Sequence, residues 1–188
     1  MYKLCKTEQS AARQRELEQG LLQVMSTSRY EDINVSGLCQ KMGIPRKSFY
    51  RYFSGKDGAL HALIDHTLLD FEQFSGILVG RNPTNIQQEL RRFFEFWLQH
   101  RQFLDALERS SLSGVLVQRA ISQAQNEYAL PREQTRGDSR RLQSHAITFC
   151  ICGIMSMVTR WHRSGCAESP AELAQIAATL LTRPLIQI

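Results

Sequence analysis

The chain has 188 residues, of which 43% are hydrophobic, and a formal net charge of +5. This apolar content is enough to bury a substantial core, so the composition excludes a disordered chain. The first residues lack the continuous apolar segment of a secretory signal, and the most apolar run, residues 146–158, is shorter than the roughly 20 residues that cross a bilayer, so we expect a cytoplasmic protein.

The predicted secondary structure is all-α. No strand-like alternation of apolar and polar residues persists, and the prolines lie mainly between segments with a helical period. The first predicted helix covers residues 9–28, where Leu17, Leu21 and Val24 share one face. We expect this helix to close the core of a small N-terminal domain.

Two short helices joined by a tight turn are predicted within residues 34–57. Asn34 has the position of an N-cap, and the apolar residues after it are spaced as on one helical face. Gly43 can adopt the positive φ at which the first helix ends, and Pro45 presets φ for the first turn of the second helix. The pattern predicts a helix-turn-helix, and the apolar face of its first helix consists of Val35, Leu38, Cys39 and Met42.

The second helix is predicted to have an apolar inner face and a basic outer face. Phe49 and Phe53 are four residues apart and should face inward. Residues 41–56 contain five Lys or Arg and no acid. Exposed short helices in other proteins also carry cations, but this local charge together with the turn favours a nucleic-acid surface. The outward side chains are those of Arg46, Lys47, Tyr50 and Arg51.

A third helix is predicted to begin near Gly55. Ser54 and Asp57 have the spacing of a capping box. Lys56 lies in the first turn, where a cation is unfavourable and the exposed N–H groups favour an anion. A phosphate bound at this helix start would offset the charge of Lys56 and accept hydrogen bonds from the exposed N–H groups.

The third helix, residues 55–75, carries an apolar stripe long enough to link two domains. Residues 76–83 interrupt that stripe with Gly, Asn and Pro, and are the predicted boundary. We expect an N-terminal helix-turn-helix domain in residues 1–57 and a larger helical domain in residues 76–188.

The C-terminal domain is predicted to end with two apolar helices, residues 139–163 and a last helix that starts at Ser169 and Pro170. The first of the two is apolar around more of its circumference than one core explains. We therefore expect this pair to present a surface to a partner.

Residues 43–56 resemble the N-terminal domain of the TetR family of bacterial transcriptional regulators. The resemblance implies that Arg46 and Lys47 reach base edges in the major groove. It implies that Ser48, Tyr50 and Tyr52 contact backbone phosphates or bases, and that Lys56 binds a phosphate. The residues that follow the usual order of the family are Gly43, Ile44, Arg46, Ser48, Phe49, Tyr50, Tyr52, Phe53 and Lys56. The residues expected at the DNA are Asn34, Ser36, Arg46, Lys47, Ser48, Tyr50, Arg51, Tyr52 and Lys56.

The last two helices, with the run RWHRSG at residues 160–165, resemble the pair that forms a four-helix dimer interface in the same family. One helix-turn-helix makes too little contact for tight specific binding, whereas a two-fold dimer places two recognition helices in major grooves roughly 34 to 36 Å apart or somewhat more. The residues expected at the dimer interface are Ile147, Ile151, Ile154, Met155, Val158, Leu173, Ile176 and Leu180.

Aromatic residues in the C-terminal domain suggest a ligand pocket, with two histidines as polar groups that orient the ligand. Ordinary core packing explains the aromatic residues equally well. The idea of a small-molecule effector comes from the family resemblance. The pocket residues are predicted to be Phe93, Phe96, Trp97, His100, Phe103, Tyr128 and His145.

The sequence contains no phosphate-binding Gly-rich loop, nucleophile elbow or pair of metal-binding histidines. We therefore expect no enzymatic activity, no cofactor and no bound metal. Cys150 and Cys152 are two apart on a helix and point in roughly opposite directions, which argues against a shared metal ion. Redox sensing by Cys166, which follows two arginines, is a minority hypothesis.

These patterns predict a homodimeric transcriptional regulator, most often a repressor in this family, that binds a palindromic operator and is released by a small molecule. The alternative is a scaffold or architectural DNA-binding protein of the same fold that has no effector. An enzyme is a third option, which would need ionisable groups that converge in a pocket.

Overall fold

The computed structural model of the protein describes residues 1–75, 85–127 and 137–182. Within these ranges the chain forms nine α-helices and a short 3-10 turn at Tyr30–Asp32, without a strand. The all-α prediction is confirmed. The helices are α1 (Glu8–Met25), α2 (Val35–Lys41), α3 (Arg46–Tyr50), α4 (Lys56–Ser75), α5 (Ile86–Gln99), α6 (Arg101–Arg109), α7 (Ser113–Glu127), α8 (Gly137–Arg163) and α9 (Pro170–Thr182).

The helix-turn-helix forms as the sequence predicts. The side-chain oxygen of Asn34 accepts a hydrogen bond from the Gly37 N–H at 2.9 Å, which caps the start of α2. After α2, Gly43 has a φ of 62°, and the Ile44 N–H donates back to the Cys39 carbonyl at 3.0 Å. The chain reverses direction there, and α3 follows Pro45 directly.

The core under the helix-turn-helix is aromatic and aliphatic. Phe49 and Phe53 are 0% and 1% exposed, and their ring centroids lie 5.1 Å apart, which confirms that they face inward. Gly20 of α1 lies against Met42, because a Cβ on Gly20 would meet the Met42 Cε at 2.3 Å. The small residue on α1 makes room for the large one after α2. Other residues buried in this core are Leu17, Leu21, Met25, Leu38, Leu63 and Ile64.

The chain divides into two compact units. Unit 1 consists of Met1–Leu68 and Asp105–Arg119, and unit 2 of Leu69–Leu104 and Ala120–Ile188. Helices α4, α6 and α7 therefore contribute residues to both units. The predicted boundary at residues 76–83 lies outside the described residues.

The first turn of α4 is held differently from the predicted capping box. The Ser54 hydroxyl donates to the Met1 carbonyl at 2.7 Å, and Asp57 accepts a hydrogen bond from the Tyr30 hydroxyl at 2.5 Å. Both side chains thus bind other segments of unit 1, and the capping-box prediction is wrong in this respect. A reciprocal capping box forms instead at α9, where the Ser169 N–H donates to Glu172 at 2.7 Å and the Ser169 hydroxyl oxygen accepts from the Glu172 N–H at 3.3 Å.

The core of unit 2 is built from aromatic rings on α4, α5 and α8. Phe71 of α4 packs edge-on against Phe93 and Phe96 of α5, with ring centroids 5.3 and 5.2 Å apart. Phe94 packs against Trp161 of α8 at 5.9 Å. Helix α5 also packs along α9. Direct ring contacts thus join helices that are distant in the sequence.

Candidate nucleic-acid interface and apolar face

The outer side of α3 carries the predicted basic side chains. Arg46, Lys47 and Arg51 are exposed, and Tyr50 is 43% exposed while its ring edge packs on Phe49. The inner side of the same helix is filled by Phe49, so these outer side chains are directed away from the core. Three cations and a tyrosine therefore form an exposed surface on α3.

The remaining residues predicted to contact DNA differ in their exposure. Asn34 and Ser36, at the start of α2, are exposed, and the Asn34 side-chain oxygen is used for the helix cap. Ser48 is half-buried. Tyr52 is only 8% exposed, with its ring against Phe53, so its side chain lies in the core and not on the exposed face of α3.

Lys56 makes contacts within unit 1 that its sequence position does not reveal. Its ammonium group donates to the carbonyls of Tyr30 and Glu31, at 2.8 and 3.2 Å. The same group lies 4.5 Å from the centroid of the Tyr30 ring, a cation–π distance. These acceptors offset the unfavourable position of a cation in the first turn of α4. A bound anion is not required for that purpose.

Tyr30 connects the loop before α2 to two other segments of unit 1. Burial, with the hydrogen bond to Asp57, raises the pKa of Tyr30 well above its usual range, so its hydroxyl stays a donor at alkaline pH as well as at neutral pH. Its backbone N–H donates to the Ser110 hydroxyl at 2.8 Å. The loop before α2 is thus fixed to both α4 and the end of α6.

An apolar face, formed by α8 and α9, is the second exposed feature. Phe149 is 69% exposed, Ile176 46% and Leu180 37%. Between the two helices lies a groove of about 160 Å³. The groove is lined by Phe149, Cys150, Gly153, Ile154, Met157, Ala177, Leu180 and Leu181.

The residues predicted at the dimer interface differ in their exposure. Ile147, Ile151 and Ile154 are half-buried and Ile176 and Leu180 are exposed, so these five can meet a partner. The other three, Met155, Val158 and Leu173, are at most 6% exposed and pack inside the subunit, so the exposed face does not include them. Phe149 and Leu181 occupy the exposed positions instead and were missed.

Residues Arg141–Arg163 of α8 are long and apolar enough to cross a membrane by length and composition alone. Only 11% of the most apolar part of this helix is buried within the subunit. One such helix is weak evidence for a membrane span, because a helix that pairs with a second subunit has the same composition.

The predicted pocket residues on α5 and α6 lie together. Trp97 has ring contacts with Phe93, Phe96 and Phe103, at centroid distances of 6.2, 5.4 and 6.3 Å. The His100 ring stacks on Phe96 at 4.0 Å, and its Nδ1 lies 2.8 Å from the Phe96 carbonyl oxygen. The Trp97 Nε1, although buried, has no hydrogen-bond partner among the described residues.

Two further pocket residues, His145 and Tyr128, were predicted from the sequence. His145 is exposed on α8. Tyr128 lies outside the described residues. The ring contacts alone are also what ordinary core packing produces, so the buried Trp97 donor is the feature that a packed core leaves unexplained.

The cysteines differ in exposure. Cys39 is 2% exposed, and burial raises the pKa of its thiol. Cys150 is exposed on α8, and Cys166 is half-buried, with a φ of 57° after the end of that helix. In the part of the chain that the structure describes, no three His, Cys, Asp or Glu residues are grouped so that they could hold a metal ion.

The fold and these two surfaces define an all-helical helix-turn-helix protein. A family model described as a transcriptional regulator C-terminal region, of TetR type, matches residues 84–183. The chain therefore belongs to the TetR family of transcriptional regulators, as the sequence of α3 indicated.

Solved structures of low sequence identity share the fold. The dihydroxyacetone kinase operon activator DhaS is 17% identical, with a TM-score of 0.57 over 95% of this chain and 97% of that one. The fatty acid degradation regulator FadR from Bacillus halodurans is 14% identical, with a TM-score of 0.57 over 97% and 98% of the two chains.

A TetR-like regulator from Rhodococcus sp. RHA1 is 18% identical, with a TM-score of 0.53 over 97% of this chain and 100% of that one. At these identities the likeness concerns the fold alone. No curated protein sequence matches the chain.

Proposed function

We propose that the chain is a homodimeric repressor that binds a palindromic operator and leaves it when a small molecule binds. The exposed basic face of α3 carries this proposal. Arg46 and Lys47 open that helix and are exposed, at the N-terminal turn where a recognition helix reaches base edges. The family supplies the role of transcriptional regulator.

The proposed DNA contacts are of two kinds, those that distinguish bases and those that bind phosphates. The planar guanidinium of Arg46 can bind a guanine edge with two hydrogen bonds, which distinguishes bases. Lys47 is proposed to reach a base edge beside it, while Tyr50 and Arg51, with Ser36 at the start of α2, are proposed to orient the helix on the phosphates. Lys56 already donates to two carbonyls, so we propose that it contributes a third donor to a phosphate.

Dimerisation is proposed to occur through the apolar face of α8 and α9. Phe149, Ile176 and Leu180 are exposed there around a groove that a second copy can fill. An isologous pair would bury the same face on both subunits. This proposal explains an apolar surface that the subunit itself leaves uncovered, and it agrees with a cytoplasmic location.

The effector is proposed to bind at the aromatic cluster of α5 and α6. The buried Trp97 Nε1 supports this proposal, because a ligand oxygen would satisfy that donor. The effector lowers DNA affinity only if it prefers the conformation that does not bind the operator.

Repression is the direction that binding alone can produce, because a dimer on an operator that overlaps a promoter excludes polymerase. DhaS, which shares the fold, is described as an operon activator. A reporter gene under the selected operator distinguishes the two, since deletion of a repressor raises expression and deletion of an activator lowers it.

DNA binding is tested by selection of bound duplexes from a random pool. The expected product is a palindrome with half-sites about one helical turn or somewhat more apart. Arg46→Ala should weaken binding to the selected duplex roughly tenfold to hundredfold while random DNA is bound nearly as before. Arg13→Ala, which removes an exposed arginine on α1, is the matched control and should change neither affinity.

Two outcomes contradict this assignment. Equal losses on selected and random DNA for Arg46→Ala would remove its role in base recognition. A wild-type protein that binds no duplex at low ionic strength would remove the proposed function altogether.

The proposed dimer is tested by Leu180→Glu, which places a charge in the groove face. Sedimentation should show a monomer, and operator affinity should fall with it. Leu69→Glu, at an exposed leucine of α4, is the control and should remain dimeric. A dimeric Leu180→Glu protein would place the interface elsewhere.

A thermal-shift screen separates the effector-controlled regulator from the scaffold alternative. A ligand that binds the folded state raises the unfolding temperature by mass action, and a scaffold without an effector shows no such hit. A hit that is retained with equal affinity in Trp97→Phe would contradict the proposed hydrogen bond to the Trp97 Nε1.

A further inference from the structure

The residues before α1 pair with the chain just after α3. Tyr2 forms an isolated antiparallel bridge with Phe53. The Lys3 N–H donates to the Tyr52 carbonyl at 2.9 Å, and the Ser54 N–H donates to the Met1 carbonyl at 3.0 Å. The N-terminal segment, residues 1–5, therefore pairs with the residues that directly follow the recognition helix.

The same segment is anchored to α1 and α4. The Gln14 side chain of α1 donates to the Lys3 carbonyl at 3.3 Å and accepts from the Cys5 thiol at 2.9 Å. A Cβ on Gly58 of α4 would lie 2.4 Å from the Met1 carbonyl oxygen. Only glycine permits this close approach, so the segment and α4 are closely fitted.

One carboxylate holds the segment from the side of α4. Asp65 is 9% exposed and accepts a hydrogen bond from the Tyr2 hydroxyl at 2.7 Å. Arg119 of α7 binds the same carboxylate with two donors, its Nε at 2.6 Å and an Nη nitrogen. The ion pair orients Asp65, and Asp65 orients Tyr2. The Tyr2 ring also packs edge-on against His66, with centroids 5.6 Å apart.

Helix α3 depends on such outside support. It has five helical residues, and Pro45 at its N-cap provides no side-chain cap. A helix this short is not stable by its own hydrogen bonds. Phe49 is buried on one side of this helix, and the N-terminal segment pairs with the residues that follow its C-terminal end.

We propose that Arg119, Asp65 and Tyr2 are positioning residues for DNA recognition, which hold the N-terminal segment against residues 52–54 and so fix the direction in which α3 presents Arg46 and Lys47. This inference rests on the proposed function, since it concerns the same surface. It assigns a role to a helix, α7, that lies outside the helix-turn-helix. It adds no DNA contact and predicts an effect on selectivity.

The first test is hydrogen exchange of the free full-length protein. Tyr2→Phe removes one hydroxyl and keeps the ring, and Arg119→Gln removes the ion pair. Both should speed exchange of the Lys3 and Ser54 amides, which are bonded across the pairing. Tyr30→Phe is the matched control, because it removes another tyrosine–carboxylate hydrogen bond of unit 1, to Asp57, and should leave those two amides protected.

The second test is the ratio of affinities for selected and random DNA, measured well below the unfolding temperature of each variant. Tyr2→Phe and Arg119→Gln should each lower this ratio roughly threefold to tenfold, the worth of one hydrogen bond. The double variant should lose less than the product of the single losses, because both residues act through Asp65. Tyr30→Phe should keep the wild-type ratio.

The outcomes are distinct. Unchanged exchange in both variants would show that Asp65 does not hold the segment, and faster exchange with an unchanged ratio would show that the segment does not position α3. An equal loss of ratio in Tyr30→Phe would reduce the effect to general stability. Wild-type protein that binds no DNA refutes the proposed function and, with it, a role in recognition, whereas the exchange result still decides whether Asp65 holds the segment.

Discussion

The long-range contacts inside unit 1 differ in their chemistry from those inside unit 2. In unit 1, hydrogen bonds between side chains join distant parts of the chain, as in the pairs Tyr2–Asp65, Tyr30–Asp57 and His66–Glu18. In unit 2, aromatic rings pack on one another, as Phe71 does on Phe93 and Phe96. The first kind of contact is directional, and the second tolerates shifts of one ring against another.

This difference matches what each unit is proposed to do. A helix that reads a groove must present its side chains in one direction, and directional bonds fix that direction. Ring contacts restrict the relative placement of side chains less than hydrogen bonds do, which suits a unit that is proposed to accept a ligand. Four variants test this contrast, in order of decreasing effect.

The largest effect is expected from Phe94→Ala in unit 2. Phe94 is fully buried and packs against Trp161, so its loss leaves a cavity that costs about 3 to 5 kcal/mol of the free energy of unfolding. Denaturant titration measures the change, and Ile86→Ala at the exposed start of α5 is the control. A loss below about 1 kcal/mol would mean that the rings are not what holds unit 2.

The next effect is expected from Asp65→Asn in unit 1. The change keeps the shape but replaces one acceptor oxygen with a donor that faces Arg119 or Tyr2. We expect a loss of about 2 kcal/mol in the free energy of unfolding, because the guanidinium is left partly unpaired. Asp32→Asn, at an exposed carboxylate of the same unit, should change it little. Equal stability of Asp65→Asn and wild type would show that the network is dispensable.

A smaller effect concerns alkaline pH. Burial, together with the hydrogen bond to Asp65, raises the pKa of Tyr2 to about 12. An unfolded tyrosine loses its proton near pH 10, so between about pH 10 and 12 the unfolded state binds fewer protons than the folded state and stability falls as the pH rises.

Tyr2→Phe should make that alkaline fall shallower, since one of the tyrosines with a raised pKa is gone. The measurement is the unfolding free energy by urea titration at a series of alkaline pH values. Tyr30 remains in the variant and still contributes to the fall. Parallel curves for variant and wild type would contradict the assignment.

The smallest effect is expected at the α9 cap. Hydrogen bonds from the Ser169 backbone and hydroxyl lower the pKa of Glu172, so its contribution is present above the usual pKa of 4.5 and is lost as the pH falls through the lowered value. Glu172→Gln should reduce the drop in unfolding temperature between neutral and acidic pH slightly. A larger drop in the variant than in wild type would give the opposite sign and exclude this account.

The helix-turn-helix could be predicted from the sequence because its signals are local. A cap at Asn34, a glycine at positive φ and two phenylalanines four apart lie within twenty residues and all favour the same structure. The exposure of Arg46 and Lys47 followed from the same period. The aromatic contacts of Trp97 with Phe93 and Phe96 were also predictable, since these residues share a helix.

The contacts that are proposed to position α3 were not predictable by the same means. Asp65 and Arg119 are 54 positions apart, and no periodic pattern relates them. The acceptors of Lys56 are backbone carbonyls, which every residue has. The exposed residues of α8 were only partly predictable because this helix carries apolar residues on two sides, and only tertiary packing decides that Met155 faces inward and Phe149 outward.

The inclusion of Asp105–Arg119 in unit 1 has a consequence for domain grafting. A chimaera that joins residues 1–75 to a foreign regulatory module would lack Ser110, which satisfies the Tyr30 N–H, and Arg119, which pairs with Asp65. Such a hybrid would keep the side chains of α3 but lose two of the contacts that support unit 1. If α3 reads an operator as proposed, we expect exchange of single α3 side chains to keep these supports, and a fusion cut within α4 to lose them.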